Sequence, residues 1–138
     1  MNLHASCVAV QGKGLLILGP SGAGKSALAL ELMALGADLV ADDRTDLVAE
    51  SGRVMASCPP VLSGLIEARG LGLLRVPSVL QAQVVLAVDL GRVETERMPQ
   101  PRNIDLCGQS IRLVHAIKAP YFTSSLWLAL RHGGLEAA

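Results

Sequence analysis

A chain of 138 residues with 51% hydrophobic and 17% charged residues has the balance of one globular domain, long enough for one sizeable core. Its 12 basic and 12 acidic residues cancel to a formal net charge of zero, so no basic field recommends nucleic acid or an anionic membrane, and the scarce aromatics (Tyr121, Phe122, Trp127) argue against a base-stacking surface. Cys7, Cys58 and Cys107 are odd in number and far apart, without metal-ligand or disulfide spacing; with no signal-like or membrane-length apolar run, a cytoplasmic setting is expected.

Residues 6–10 (SCVAV) and 14–18 (GLLIL) read as strands around a turn at Gln11-Gly12-Lys13-Gly14. A glycine-rich loop follows. Residues 25–35, dominated by Ala, Leu, Glu and Met, predict a helix with Gly36 placed to cap its C-terminus. That helix is apolar around most of its circumference, which predicts cover on more than one side. Residues 38–41 (DLVA) predict a short buried strand ending at Asp42-Asp43, and 45–50 and 53–57 flank Ser51-Gly52 as a hairpin. Pro59-Pro60 breaks the chain before a short helical or irregular stretch to Gly70. Further strands are expected at 71–76, 83–89 and 110–117, with a polar, mobile loop at roughly 91–103. Ser124 or Ser125 is placed to N-cap a last helix that runs through Arg131 and stops at Gly133-Gly134. Many strands and few helices predict a single α/β domain over residues 1–138 with a mixed sheet, not a regular doubly wound one.

Gly19-Pro20-Ser21-Gly22-Ala23-Gly24-Lys25-Ser26 matches the P-loop pattern GxxxxGK followed by Ser or Thr, with an apolar strand leading in and a strong helix leading out. Glycines let backbone N–H groups converge on phosphate oxygens, and the helix N-terminus adds a partial positive charge aimed at the anion. Lys25 supplies a full charge for the terminal phosphates and Ser26 a hydroxyl for Mg²⁺. The loop therefore predicts binding of a nucleoside triphosphate without naming the reaction.

A P-loop enzyme also needs carboxylates to hold the metal and handle the nucleophile. Asp42 and Asp43, at the carboxyl end of a strand, are the candidates, against the plainer reading of a solvated turn. Adjacent strand residues point to opposite faces, so at most one aims into the site unless the chain bends. In Ile66-Glu67-Ala68-Arg69-Gly70-Leu71-Gly72-Leu73 two charges interrupt an apolar stretch. They read either as a buried structural ion pair or as a carboxylate for Mg²⁺ beside a guanidinium for phosphate.

The GPSGAGKS loop, LVADD beginning 13 residues after Ser26, and IEARGLGLL together resemble the catalytic, C-terminal domain of the HPr kinase/phosphorylase family. His4 stands ahead of the loop as the histidine of that family's H-G-V/L strand does, with Ala5 in place of Gly. The likeness covers roughly residues 3–90 well and the remainder loosely, and the family's N-terminal domain has no counterpart, as in a short form or a piece of a longer chain.

The resemblance implies the nucleotide-binding core shared with phosphoenolpyruvate carboxykinase, and an ATP-dependent protein-serine kinase of phosphotransferase-system regulation acting on HPr or a related phosphocarrier. It implies that residues 19–26 bind ATP, that Ser26 and Glu67 ligate Mg²⁺, and that Asp42 takes the proton of the attacking serine, with Asp43 and Arg69 supporting metal and phosphate. A loop arginine is implied as well: Arg97, in competition with Arg92 and Arg102. His4 lies near the site by analogy, either with a role or as a strand-edge histidine. Ala119-Pro120-Tyr121-Phe122-Thr123-Ser124-Ser125 replaces the family's glycine-arginine-asparagine element, which leaves the reverse, phosphorylase direction open, and the additional helices that longer members carry after the last one leave a homo-oligomeric state open. The competing functions are a nucleotide-sensing module that transfers nothing and a small-molecule P-loop kinase. The intact Lys25, Ser26, Asp42 and Glu67 speak against the first, and the LVADD and EARGLGLL segments against the second.

Overall fold

Long apolar runs build a forked, mixed sheet that is covered on both faces. The computed structural model describes residues 1–133 and 135. In chain order the strands and helices are β1 (Asn2–Leu3), β2 (Ser6–Val10), β3 (Lys13–Leu18), α1 (Lys25–Leu35), β4 (Asp38–Ala41), β5 (Thr45–Glu50), β6 (Arg53–Ser57), β7 (Leu65–Ala68), β8 (Gly72–Arg75), β9 (Gln81–Val93), β10 (Arg102–Leu106), β11 (Gln109–Ala116) and α2 (Phe122–Arg131). Nine strands form the main sheet in the order β1-β5-β6-β9-β3-β2-β4, and β7 and β8 pair separately. The fork lies on β9: one edge runs parallel to β3, while the other pairs antiparallel with β6 at Gln81–Gln83 and then parallel with β11, outside which lies β10. This is the mixed α/β sheet expected from the sequence.

Both faces of the central strands are buried, which is why β2 and β3 read as continuous apolar runs instead of alternating ones. Val8, Val10, Leu15 and Ile17 face α1 and α2, where they meet Leu28, Leu32, Leu126 and Leu130. Cys7, Ala9 and Leu16 face the other way, into a cluster closed by Leu47, Val54 and Leu106 from the hairpins. Burial pushes the Cys7 thiol up to about 12, so it behaves as a small core hydrophobe. Helix α1 is covered on several sides, touching β2, β3, β4, β7 and α2. Its end is closed as expected: the Gly36 and Ala37 N–H groups donate to Met33 O and Leu32 O.

Two bulges correct the simple alternation. Gly14 faces Val84 and Leu15 faces Leu86, so Val85 is an extra residue in β9. Beyond it Leu86 and Val88 turn to the helix side, although Val84 faces the opposite cluster. Likewise Cys7 faces Ala41 and Val8 faces Leu39, leaving Val40 as the extra residue in β4.

Three segments differ from their sequence readings. After the short 3-10 turn Pro60–Leu62, residues 65–68 form a strand, because the chain reverses at 69–71 and pairs Leu65 with Arg75. The polar loop at 91–103 shrinks to 94–101, since β9 runs on to Val93 beside β11 and Arg102 already pairs with Leu113. Helix α2 starts at Phe122, with Tyr121 at the N-cap and no side-chain cap. Ser125 Oγ instead donates back to Tyr121 O at 2.9 Å, and Thr123 Oγ1 donates to Glu31 Oε1 at 3.0 Å, tying α2 to α1. The second residue of the expected Gly133-Gly134 stop lies outside the described residues. Among the described residues no helix is long and apolar enough to cross a membrane.

The β9 bulge brings backbone against Gly14: a Cβ there would lie 2.9 Å from Gln83 O. Gly14→Ala is expected to destabilise the fold by about 1–3 kcal/mol, read as a lower urea midpoint with unchanged slope. An unchanged midpoint would show that the bulge yields freely.

Candidate active site

Strand β3 delivers the chain to Gly19, and the loop ends on α1, whose N-cap Gly24 is left-handed (φ 100°) with no side-chain cap. The first-turn N–H groups of α1 are thus free of a capping side chain, as an anion site requires. A Cβ on Gly22 or Gly24 would meet nothing within 4 Å, so the mouth of the loop is open. Its base is the opposite: a Cβ on Gly91 would lie 3.0 Å from Pro20 Cδ and one on Gly19 3.3 Å from Leu90 Cβ, so the end of β9 backs the loop closely. Lys25 is buried, its Nζ donating to Gly19 O at 2.8 Å and Pro20 O at 3.1 Å. The ammonium thus lies over its own loop, inside the concavity. An amide-lined open cradle with one enclosed cation fits a polyphosphate.

The acidic pair lies next to it. Asp42 is only 8% exposed. Its Oδ1 accepts hydrogen bonds from Ser6 Oγ and Ser26 Oγ, each at 2.7 Å, and its Oδ2 accepts one from the Glu67 N–H at 3.3 Å. The β4 bulge explains why Asp42 reaches Ser26. Unbroken alternation from Leu39 through Val40 and Ala41 would turn Asp42 to the face away from α1; because Val40 is bulged out of the pairing, Asp42 falls beside Ser6 on the helix side. Asp43 then sits in the left-handed region (φ 68°) at the centre of a tight turn closed by Arg44 N–H to Asp42 O at 2.8 Å. Such a backbone is tolerated by Asp better than by most residues. The chain therefore bends where the sequence reading required a bend, and both carboxylates line one cleft. His4 joins them, with Nε2 2.6 Å from Asp43 Oδ1.

The cleft, about 560 Å³, is walled on the far side by Glu67 and Arg69 from β7 and its turn. Glu67 is exposed, and among the described residues it makes no ion pair with Arg69, so the reading of a buried structural pair falls. The strand is anchored by its neighbour Ile66, 1% exposed, which leaves Glu67 to point outward into the cleft mouth. Ser26 donates its proton to Asp42 and keeps oxygen lone pairs free, and Glu67 adds a carboxylate across the gap. These hard oxygens suit Mg²⁺, although the described residues hold no preassembled cluster of three metal-binding side chains.

The structure does not bring Arg97 to this cleft; it is exposed in the 94–101 loop. Its competitors are engaged elsewhere: Arg102 Nη2 donates to Glu94 Oε2 at 3.1 Å, and Arg92 lies 3.9 Å from Asp89. Ser6 was missed by the sequence reading. Its signal, a hydroxyl in an otherwise apolar run, gains meaning only once the strand pairing is known.

Residues 1–98 match the family described as HPr Serine kinase C-terminal domain. The HPr kinase/phosphorylase of Clostridium tetani is 48% identical over 86 residues, 62% of this chain and 28% of that protein. That of Cupriavidus necator is 37% identical over 126 residues, 83% of this chain and 39% of that protein. The chain thus spans about four-tenths or less of the length of these curated relatives. The solved structure of the Hpr(Ser) kinase/phosphatase from Coxiella burnetii matches with a TM-score of 0.80 at 27% identity, over 95% of this chain and 94% of that one.

Glu94 and Arg102 close the neck of the arginine-bearing loop. The Arg102 hydrogen bonds, and then the Glu96 N–H, hold the Glu94 carboxyl below the usual carboxylate range. A depressed carboxyl contributes its stability above the unfolded value and loses it as pH falls through the folded one. The neck is therefore expected to stay closed down to the usual carboxylate value of about 4.3 and to open only below it. NMR titration of the Arg102 Nε–H checks this, and a midpoint at or above the usual value would contradict it.

Proposed function

The chain belongs to the HPr serine kinase C-terminal domain family, and we propose that it is an ATP-dependent protein-serine kinase acting on HPr or a related phosphocarrier in the cytoplasm. One observation carries the reading: Asp42 is bonded to the P-loop Ser26 and opens on the same cleft as Lys25, Glu67 and Arg69. A pure nucleotide sensor has no need of a carboxylate held at the junction of phosphate loop and open cleft.

In this reading the residue 19–26 loop and the α1 N-terminus bind the triphosphate, and Lys25 swings from its carbonyl partners to the terminal phosphates. Ser26 and Glu67 would hold Mg²⁺, which would supply charge neutralisation for the transferring group. Asp42 accepts the hydroxyl proton of the substrate serine on Oδ2 as that oxygen attacks the terminal phosphorus. The bond to the bridging oxygen breaks, and ADP leaves with its electron pair. A serine hydroxyl is a weak nucleophile, and a placed carboxylate supplies about 10²–10⁴-fold as general base. Asp43, bonded to His4, keeps negative charge at the cleft wall where it would support the metal, and Arg69 meets phosphate charge from the far wall. Arg97 acts only if its loop folds over the cleft. Two readings of the family extend this one, the reverse phosphorolytic reaction and assembly into a homo-oligomer.

The test is transfer of label from γ-labelled ATP with Mg²⁺ to a serine of HPr from the same organism. Asp42→Asn is expected to lower the rate by at least about 10²-fold while ATP affinity stays within about threefold. Binding of ATP without transfer to any carrier would favour a sensor instead. A second check uses the back of the loop. Gly91→Ala presses on Pro20 Cδ at 3.0 Å, and is expected to weaken ATP binding about 3- to 10-fold, because a small misplacement of binding groups is costly. Unchanged affinity would show that the β9 end does not set the loop.

A further inference from the structure

The general-base reading leaves one group beside Asp42 without a role. Ser6 is fully buried, at 0% exposure, in a strand whose other residues are apolar. Its Oγ donates to Asp42 Oδ1 at 2.7 Å and stands 3.5 Å from the Asp43 N–H, so one hydroxyl touches both members of the acidic pair. A valine or alanine would fill the place without burying a polar atom, so the hydroxyl is there for its hydrogen bonds.

The geometry points to Ser6 as a positioning residue that holds Asp42 for phosphoryl transfer to a protein serine; this rests on the reading of Asp42 as the base. Oδ1 receives two short hydroxyl bonds from different directions, from β2 through Ser6 and from α1 through Ser26. Together they fix the carboxylate plane and leave Oδ2, with a single longer bond from the Glu67 N–H, as the oxygen with capacity to accept a proton. The two hydroxyls are not equivalent. Ser26 belongs to the phosphate loop and shifts its engagement when that loop binds metal and nucleotide. Ser6 is locked in the sheet, by pairing with Ile17, and does not move with the loop. Ser6 therefore keeps Oδ1 occupied and Oδ2 aimed through the whole cycle.

Ser6→Ala removes one oxygen and adds no bulk, so the fold has no steric reason to fail. In the full chain, with γ-labelled ATP, Mg²⁺ and HPr, it is expected to lower kcat about 10-fold, the effect of losing a hydrogen bond to a charged group. ATP affinity and the KM for HPr should stay within about twofold, since positioning of the base acts on the chemical step. Ser6→Thr, which keeps the hydroxyl, is expected to recover most of kcat. In an Asp42→Asn background Ser6→Ala should change the residual rate less than about twofold, because a residue that acts through another has nothing left to position.

The inference is overturned if kcat is unchanged in Ser6→Ala, if ATP affinity and thermal midpoint fall along with kcat, if Ala and Thr behave alike, or if the two substitutions add. No transfer by the unmodified protein would instead remove the kinase reading, and the inference with it. Transfer by the unmodified protein with an inert Ser6→Ala would remove the inference alone.

Discussion

The site depends on a buried carboxylate. Asp42 is largely covered at the wall of the cleft, and a carboxylate so placed is tolerated only with hydrogen bonds to replace its lost hydration. Those bonds come from three parts of the chain: Ser6 at the start of β2, Ser26 in the first turn of α1, and the Glu67 N–H in β7. Satisfying this one group therefore ties the central sheet, the residue 19–26 loop and the separate β7–β8 hairpin to a common point. The cleft opens between the elements that this carboxylate gathers.

Charge is arranged around that point by reach more than by number. The floor carries Lys25 and the helix N-terminus, both suited to anions, while Asp42, Asp43 and Glu67 border it. Among the described residues Lys25 does not pair with the carboxylates: Lys25 is bonded to carbonyls, Asp42 to two hydroxyls and an amide, and Asp43 to His4. Each charge keeps capacity for a ligand. Outside the cleft the pairing is direct, as in the Glu94–Arg102 neck, where a carboxylate and a guanidinium satisfy each other and hold loop ends together.

The sheet supports the site through two one-residue irregularities. The extra residue in β9 redirects Leu86 and Val88 toward the helices, and the far end of the same strand presses against Pro20 and Gly19. The extra residue in β4 turns Asp42 to the helix side. A bulge resets the alternation of everything after it, so one residue bulged out of the pairing decides which carboxylate meets Ser26.

Much of this was legible in the sequence. The helix at residues 25–35 capped by Gly36 and the 45–57 hairpin follow from local rules of helix propensity, glycine and turn chemistry, and both stand as read. The acidic pair and the Glu67–Arg69 segment were legible as candidates, because charges in apolar runs need a reason, and the fold brings them to one cleft. What local rules do not contain is partnership across the chain. The strands at 65–68 and 102–106 are too short and too polar to announce themselves, and exist because β8 and β11 lie beside them. Ser6 looked like one more residue of a buried strand. That Asp42 and not Asp43 takes the inner place, and that Ser6 holds it, was decided by the register of β2 against β4, a pairing between segments about thirty residues apart that no local pattern encodes.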